Sequence, residues 1–375
     1  MNARTPVVLV STLFSPFQTE LATALNEREG LDYHVLYTKL ANAARGSHWT
    51  EDVRRTPPYV HTVPAGLGAR ETAAWVEERL ATLAPRVIVA NGILRAPTWQ
   101  TLTALRPRLG TPQRRTPVGY WLEHPDLSRP WHVCMAVELM TRVQMGAMDF
   151  GFVIGDRAEA YYRRCHPTLP LHVVPYGSNL GPSFAIERNG PPERTRFLFS
   201  GQLVARNNIR ALTEAFERLA ESHAGRFEWV VSASGPEERW ITEARARSPV
   251  LDRATRFDRD FVTWNDRLRP FAQSDVLVCP SLHAGWALVV PEAMAAGMPV
   301  IATRAVSAAR WFVRPELSGV FVETDANSIY RALVRFVEDH PAIARMGAEA
   351  RLAAHAGTVE FIAARFAEAA RKHAG

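Results

Sequence analysis

Residues 274–303 read SDVLVCPSLHAGWALVVPEAMAAGMPVIAT. A short apolar run, Val276 to Cys279, has the length and bulk of a buried strand. A Pro-Ser loop follows, then Gly285 and the opening of a helix. Pro291 sits where a first-turn proline is tolerated, with Glu292 directly after it. Gly297 and Pro299 end the helix, and Val300 to Ala302 begins the next strand. The first amides of a helix have no partner within it, so a strand, a loop and a helix start aimed the same way can hold an anion. A carboxylate just inside such a helix can accept from a pair of hydroxyls. Together these features describe a pocket for a nucleoside diphosphate, with Glu292 on the ribose and the amides of Gly285 to Leu288 on phosphate.

Working outward, the same alternation of strand and helix recurs along the 375 residues. In the first half, Pro6–Val10, Tyr33–Tyr37, Val87–Ala90, Val118–Trp121, Phe152–Ile154 and His172–Val174 read as strands. Helical stretches fall between them at Thr19–Arg28, around Trp75, Leu80 and Leu83, around Trp99, Leu102 and Leu105, and at Cys134–Met148. Residues 41–70 read as irregular. The second half repeats the pattern, with strands at Arg196–Phe199, Phe227–Val231 and Val320–Val322. Its best helix carries Ile209, Leu212, Phe216 and Leu219 at three- and four-residue steps. Another carries Ile329, Leu333 and Val337, and two Ala-rich helices follow at about 342–354 and 358–371.

This is an α/β pattern of two doubly wound, Rossmann-like domains. The expected boundaries are an N-terminal α/β domain at 1–177 and a Gly/Pro-rich linker at 178–195. A C-terminal α/β domain at 196–355 and a final helix at 356–375 that returns to the first domain complete the division. Ligands in such sheets bind beyond the carboxyl ends of the strands, which singles out the loops at 11–19, 91–92, 123–124, 201–208, 232–236 and 283–292.

Composition excludes some classes. No apolar run approaches the roughly 20 residues of a membrane span. The opening MNARTPVVLVST lacks the apolar core and cleavage site of a signal peptide. Cys134, Cys165 and Cys279 are scattered without metal spacing, which reads as buried thiols in a reducing cytoplasm. The net charge is +6, carried almost wholly by Arg, with lysine only at 39 and 372. Arg106, Arg108, Arg114 and Arg115 form a basic segment that reads as a solvated loop, with contact to a membrane surface as the alternative. Nothing in this pattern calls for nucleic acid.

At this point four segments together resemble the retaining glycosyltransferases of family 4, which have the GT-B fold. They are HVVPYGSNLGPSF (172–184), FLFSGQLVARNNIRALTEAF (197–216), SASGPEE (232–238) and PSLHAGWALVVPEAMAAGMPVIAT (280–303). The resemblance implies two domains facing across a cleft and a hexosyltransferase that moves a sugar from a nucleotide-sugar donor to a hydroxyl acceptor, with retention and no metal or other cofactor. It implies donor contacts at Gly201, Gln202, Arg206, Asn207, Ser234, Gly235, Pro236, His283, Ala284, Gly285, Trp286, Ala287, Leu288 and Glu292. It also implies catalytic roles for His124, which follows a strand, and for its neighbour Glu123.

The pattern departs from the family at several positions. Ala284 stands where the family has the earlier of two glutamates, Gln202 and Asn207 stand where it has Arg and Lys, and the N-terminal loop SPFQTE has no glycine. Arg206, Arg210 or His283 would have to compensate. A non-catalytic binding protein or partner subunit on the same fold is the alternative those losses motivate. Asp258-Arg259-Asp260 has the spelling of a metal motif but reads as a surface loop. Trp264 and Trp286 read as packing residues, with sugar stacking as the alternative.

Overall fold

The computed structural model describes residues 4–39, 56–91, 102–103, 105, 110–111, 114–188, 193–259 and 264–375. They form two units, 1–179 with 359–375, and 180–358. In the first unit the strands are β1 (Thr5–Ser11), β2 (Leu31–Tyr37), β3 (Val60–Thr62), β4 (Val87–Asn91), β5 (Gly110–Thr111), β6 (Arg114–Arg115), β7 (Val118–Leu122), β8 (Phe150–Val153) and β9 (Leu171–Val173). Seven of them make a parallel sheet in the order β3-β2-β1-β4-β7-β8-β9, while β5 and β6 pair separately as a short antiparallel ribbon. The strands are parallel because helices return the chain between them, and their central residues are apolar because both faces are covered. Val7 to Val10 and Val87 to Ala90 are fully buried.

The last helix, Val359–Ala374, packs on this sheet rather than on the unit that precedes it in sequence. Its Phe366 is fully buried. The ring lies 5.3 Å from Tyr33, 5.4 Å from Trp121 and 5.0 Å from Phe152 between centroids. The helix is tied down further by Arg365, which donates to the Val173 carbonyl, and by the Val359 amide, which donates to Ser178.

The second unit has β10 (Thr195–Gln202), β11 (Phe227–Ser234), β12 (Thr255–Phe257), β13 (Val276–Cys279), β14 (Val300–Thr303) and β15 (Gly319–Val322). They pair in parallel in the order β12-β11-β10-β13-β14-β15. The direction of winding therefore reverses between β10 and β13, and that reversal opens a crevice at the carboxyl end of the sheet. Helix Ile209–Ser222 buries Ile209, Leu212, Phe216 and Leu219, the residues whose spacing announces it. Phe216 stacks on Trp229 at 4.2 Å. Helix Ala326–Glu338 buries Ile329, Leu333 and Val337 and is capped by Asp325, whose carboxylate accepts from the Ser328 amide at 2.9 Å.

Several local expectations need correction. The stretch read as a linker contains a short helix, Gly181–Phe184, and Arg188 donates to the carbonyls of Ala296 and Phe271. These bonds anchor residues 180–188 to the second unit. Residues 56–70, read as irregular, contain β3 and the start of helix Ala69–Leu83. The apolar helix expected at 134–148 begins three residues earlier, at Trp131, directly after Pro130. Cys165 and Cys279 are buried, but Cys134 is only half-buried. Arg115 is not a loop residue. It lies on β6 and pairs with Asp149 at 3.0 Å. Arg106, Arg108, Gly92 and Trp99 fall outside the described residues, as does the Arg114 side chain. Among the described residues no helix is long and apolar enough to cross a membrane.

Candidate donor site

The donor positions expected from sequence converge on the carboxyl end of the second sheet. Gly201 and Gln202 end β10, directly beside Ala233 and Ser234 at the end of β11. The two loops are stitched together. The Leu203 amide donates to the Ser234 carbonyl at 2.8 Å, and the Glu237 amide donates to the Leu203 carbonyl at 2.9 Å. Gly235 makes this possible. Its φ is +149°, and a Cβ there would lie 2.5 Å from the Leu203 carbonyl oxygen, a separation no side chain tolerates. Pro236 completes the turn.

A second seam crosses the crevice between β10 and β13. Asn207 Nδ2 donates to the Gln202 carbonyl at 2.7 Å, and its Oδ1 accepts from the Ser281 hydroxyl at 3.1 Å. Asn207 thus ties the two loops together, at the position where the resembled family has Lys. The Leu282 amide donates to the Arg206 carbonyl at 2.8 Å. The Arg206 side chain is exposed and makes no ion pair among the described residues. Arg210 is committed elsewhere, pairing with Glu214 at 3.1 Å and lying over the Trp240 ring.

The loop after β13 is fixed from the other side. The Ala284 amide donates to Ala305, and the Ala284 carbonyl accepts from the Ser307 amide and hydroxyl. His283 is buried. Trp286 is buried too, with ring neighbours Trp311 and Phe312, so it packs as a core residue and offers no open sugar platform. The Trp264 side chain lies outside the described residues. The amides of Gly285, Ala287 and Leu288 donate to no backbone carbonyl among the described residues. Burial pushes the thiol of Cys279, at the end of β13, up to about 11, which disfavours the thiolate.

Ala287 has φ +84°, in the region that favours glycine. Strain of this kind collects at ligand-gripping loops. Replacing Ala287 by Gly is expected to stabilise the fold by about 1 kcal/mol through relief of that strain. A thermal melt checks this, and an unchanged or lower midpoint would show that the conformation costs the alanine nothing.

Glu292 lies on helix Val289–Ala295 and is 4 % exposed. Its Oε1 accepts from Arg267 Nε at 3.2 Å, and both side chains are buried. Sequence reading missed Arg267, which ends a short turn 25 positions earlier and carries no local signal of burial. It also misread Asp258. Read as part of a surface loop, that residue follows β12 and is buried, with its carboxylate paired to Arg269. Asp260 falls outside the described residues. Arg304, after β14, is exposed and lies 4.4 Å over the Phe321 ring.

In the first unit, His124 follows β7 and is buried, edge-on to Tyr161 at 5.7 Å. Glu123 points its side chain to solvent, and its carbonyl accepts from the Tyr162 hydroxyl at 2.8 Å.

Residues 194–339 match the family described as Glycosyl transferases group 1. The match lies within the second unit. A lipopolysaccharide core biosynthesis glycosyltransferase of Rhizobium meliloti is 29 % identical over 175 residues, 45 % of this chain and 48 % of the relative. The chain thus aligns with about half the length of that relative. Among solved structures, sucrose-phosphate synthase of Thermosynechococcus elongatus superposes with a TM-score of 0.75 at 20 % identity, covering 98 % of this chain and 99 % of that one. The Anabaena protein HepE, in complex with UDP, gives 0.73 at 14 % identity, covering 98 % and 100 %. These likenesses extend the glycosyltransferase fold over both units.

Proposed function

We propose that the protein is a glycosyltransferase that moves a hexosyl group from a nucleoside-diphosphate donor to an acceptor hydroxyl. The observation that carries this reading is the buried Glu292 carboxylate, on the helix that follows the β13 loop at the crevice between β10 and β13. Loops from four strands meet at that crevice, and the group 1 pattern covers it. A buried carboxylate there can accept from the two ribose hydroxyls. The amides of Gly285, Ala287 and Leu288 face diphosphate oxygens, with the exposed Arg206 and Arg304 adding positive charge near the mouth. That HepE, of similar fold, is in complex with UDP supports a nucleotide ligand.

In the reaction we propose, the bond between the anomeric carbon and the β-phosphate oxygen breaks. The acceptor oxygen bonds to that carbon on the same face, and its proton passes to the departing phosphate. Configuration is retained and no metal takes part. The chain then supplies position and charge stabilisation more than covalent chemistry. His124, fixed by Tyr161, orients the acceptor, and Glu123 is its exposed neighbour on the same loop.

Calorimetric titration with UDP, GDP, ADP, dTDP and CMP, with and without magnesium, tests the reading. One nucleotide is expected to bind indifferently to the metal. Its affinity should fall roughly 10- to 100-fold in Glu292→Ala, since a hydrogen bond to a charged group contributes about 1.5–3 kcal/mol. Failure of all five to bind would overturn the proposal in favour of a non-catalytic protein on this fold. Retention is checked by the anomeric proton coupling of the glycoside formed.

A further inference from the structure

We infer that Arg267 is a positioning residue for Glu292, and that the two together set discrimination between ribonucleotides and 2′-deoxyribonucleotides. This rests on the nucleotide-binding reading above. Among the described residues it is the ion pair in which both side chains are less than a tenth exposed, at 8 % and 6 %. Other buried carboxylates pair with arginines that reach solvent. Arg196, beside Asp275, and Arg269, beside Asp258, are each 37 % exposed.

A fully buried pair is poor value as a stabilising device, because desolvating two charges offsets most of their attraction. Its placement beside the proposed ribose site gives it a different use. A carboxylate alone rotates about its last bond. An N–H held on Oε1 fixes the plane of the group and therefore the direction in which its oxygens accept. The two partners come from different elements, helix Val289–Ala295 and the turn Trp264–Arg267, so tertiary structure and not local chain geometry sets the angle. Guanidinium is suited to this because its donors are fixed in one plane, whereas an ammonium is a point charge on a flexible stem.

A ribose offers two adjacent O–H donors, and a fixed carboxylate can take both. A 2′-deoxyribose offers one. The ratio of the two affinities therefore reads out the alignment of Glu292 separately from overall affinity and from folding.

The experiment compares UDP with 2′-deoxy-UDP, and GDP and ADP with their 2′-deoxy counterparts, on the full chain by calorimetry. Wild type is expected to favour the ribonucleotide by about 10-fold, the value of one charge-assisted hydrogen bond. Arg267→Lys keeps the charge but loses the plane. It is expected to bind the deoxynucleotide about as well as wild type does while the preference collapses towards 1. Arg267→Gln, which keeps a planar donor without charge, is expected to keep part of the preference. Circular dichroism and a thermal melt establish that each variant is folded.

A preference unchanged in folded Arg267→Lys would overturn the inference and leave Arg267 a structural residue. Wild-type binding without any ribose preference would overturn it while leaving nucleotide binding intact. Absence of binding by every nucleotide would overturn it together with the reading beneath it.

Discussion

Glu292→Ala is expected to lower the stability of the second unit by about 3–5 kcal/mol, the cost of removing one member of a buried ion pair. Arg267, 8 % exposed, would lose the carboxylate on its Nε. For a domain of this size the melting transition should fall by about 6–20 °C. The same change removes the proposed ribose acceptor, so folding and binding would fall together and could be mistaken for one effect. A double replacement separates them. Arg267→Met with Glu292→Leu removes both charges and fills similar volume, and such exchanges are often neutral or stabilising. We therefore expect the double variant to melt near the wild-type temperature and still to bind its nucleotide roughly 10- to 100-fold more weakly than wild type. A Glu292→Ala protein that melts like wild type would show that the pair is solvated in the native state.

Phe366→Ala is expected to cost about 3–5 kcal/mol in the first unit. The ring is fully buried between Tyr33, Trp121 and Phe152, and each edge-on contact adds to the area it buries. The cavity cannot easily close, because its walls are a β-sheet on one side and a helix held by the Val359 and Arg365 hydrogen bonds on the other. Scanning calorimetry should show the first unit's transition lowered and the second unit's in place, since effects at separate, non-contacting sites are independent. A fall confined to the second unit's transition would mean that the last helix belongs to the other core.

Much of this architecture is written in local patterns. Val7 to Val10, Val87 to Ala90 and Val276 to Cys279 are short apolar runs that can only be buried strands in this context, and each is one. Ile209, Leu212, Phe216 and Leu219 mark a helix face that the fold buries whole. Short elements escaped because their signals are weak. β3 is three residues at a sheet edge between prolines, and Gly155–Cys165 is polar on most of its surface, so neither stands out by hydrophobicity.

The site divides in the same way. Gly235 and Glu292 sit in recognisable local motifs, and the structure puts them at the carboxyl end of the sheet. Asn207 was read through its neighbours in sequence, and only the fold reveals that it spans to Ser281, 74 positions on. Arg267 is invisible for a stronger reason. Burial of an arginine is set by a partner far along the chain, and no periodicity records it.

The first unit is discontinuous. Its sheet is finished at Val173, yet the helix that covers Tyr33, Trp121 and Phe152 does not begin until Val359. Translation at 5–20 residues per second takes about 10–40 s to traverse the intervening stretch. Until then Tyr33, Trp121 and Phe152 lack the helix that carries Phe366. The order of synthesis thus makes the first-made half the last to close.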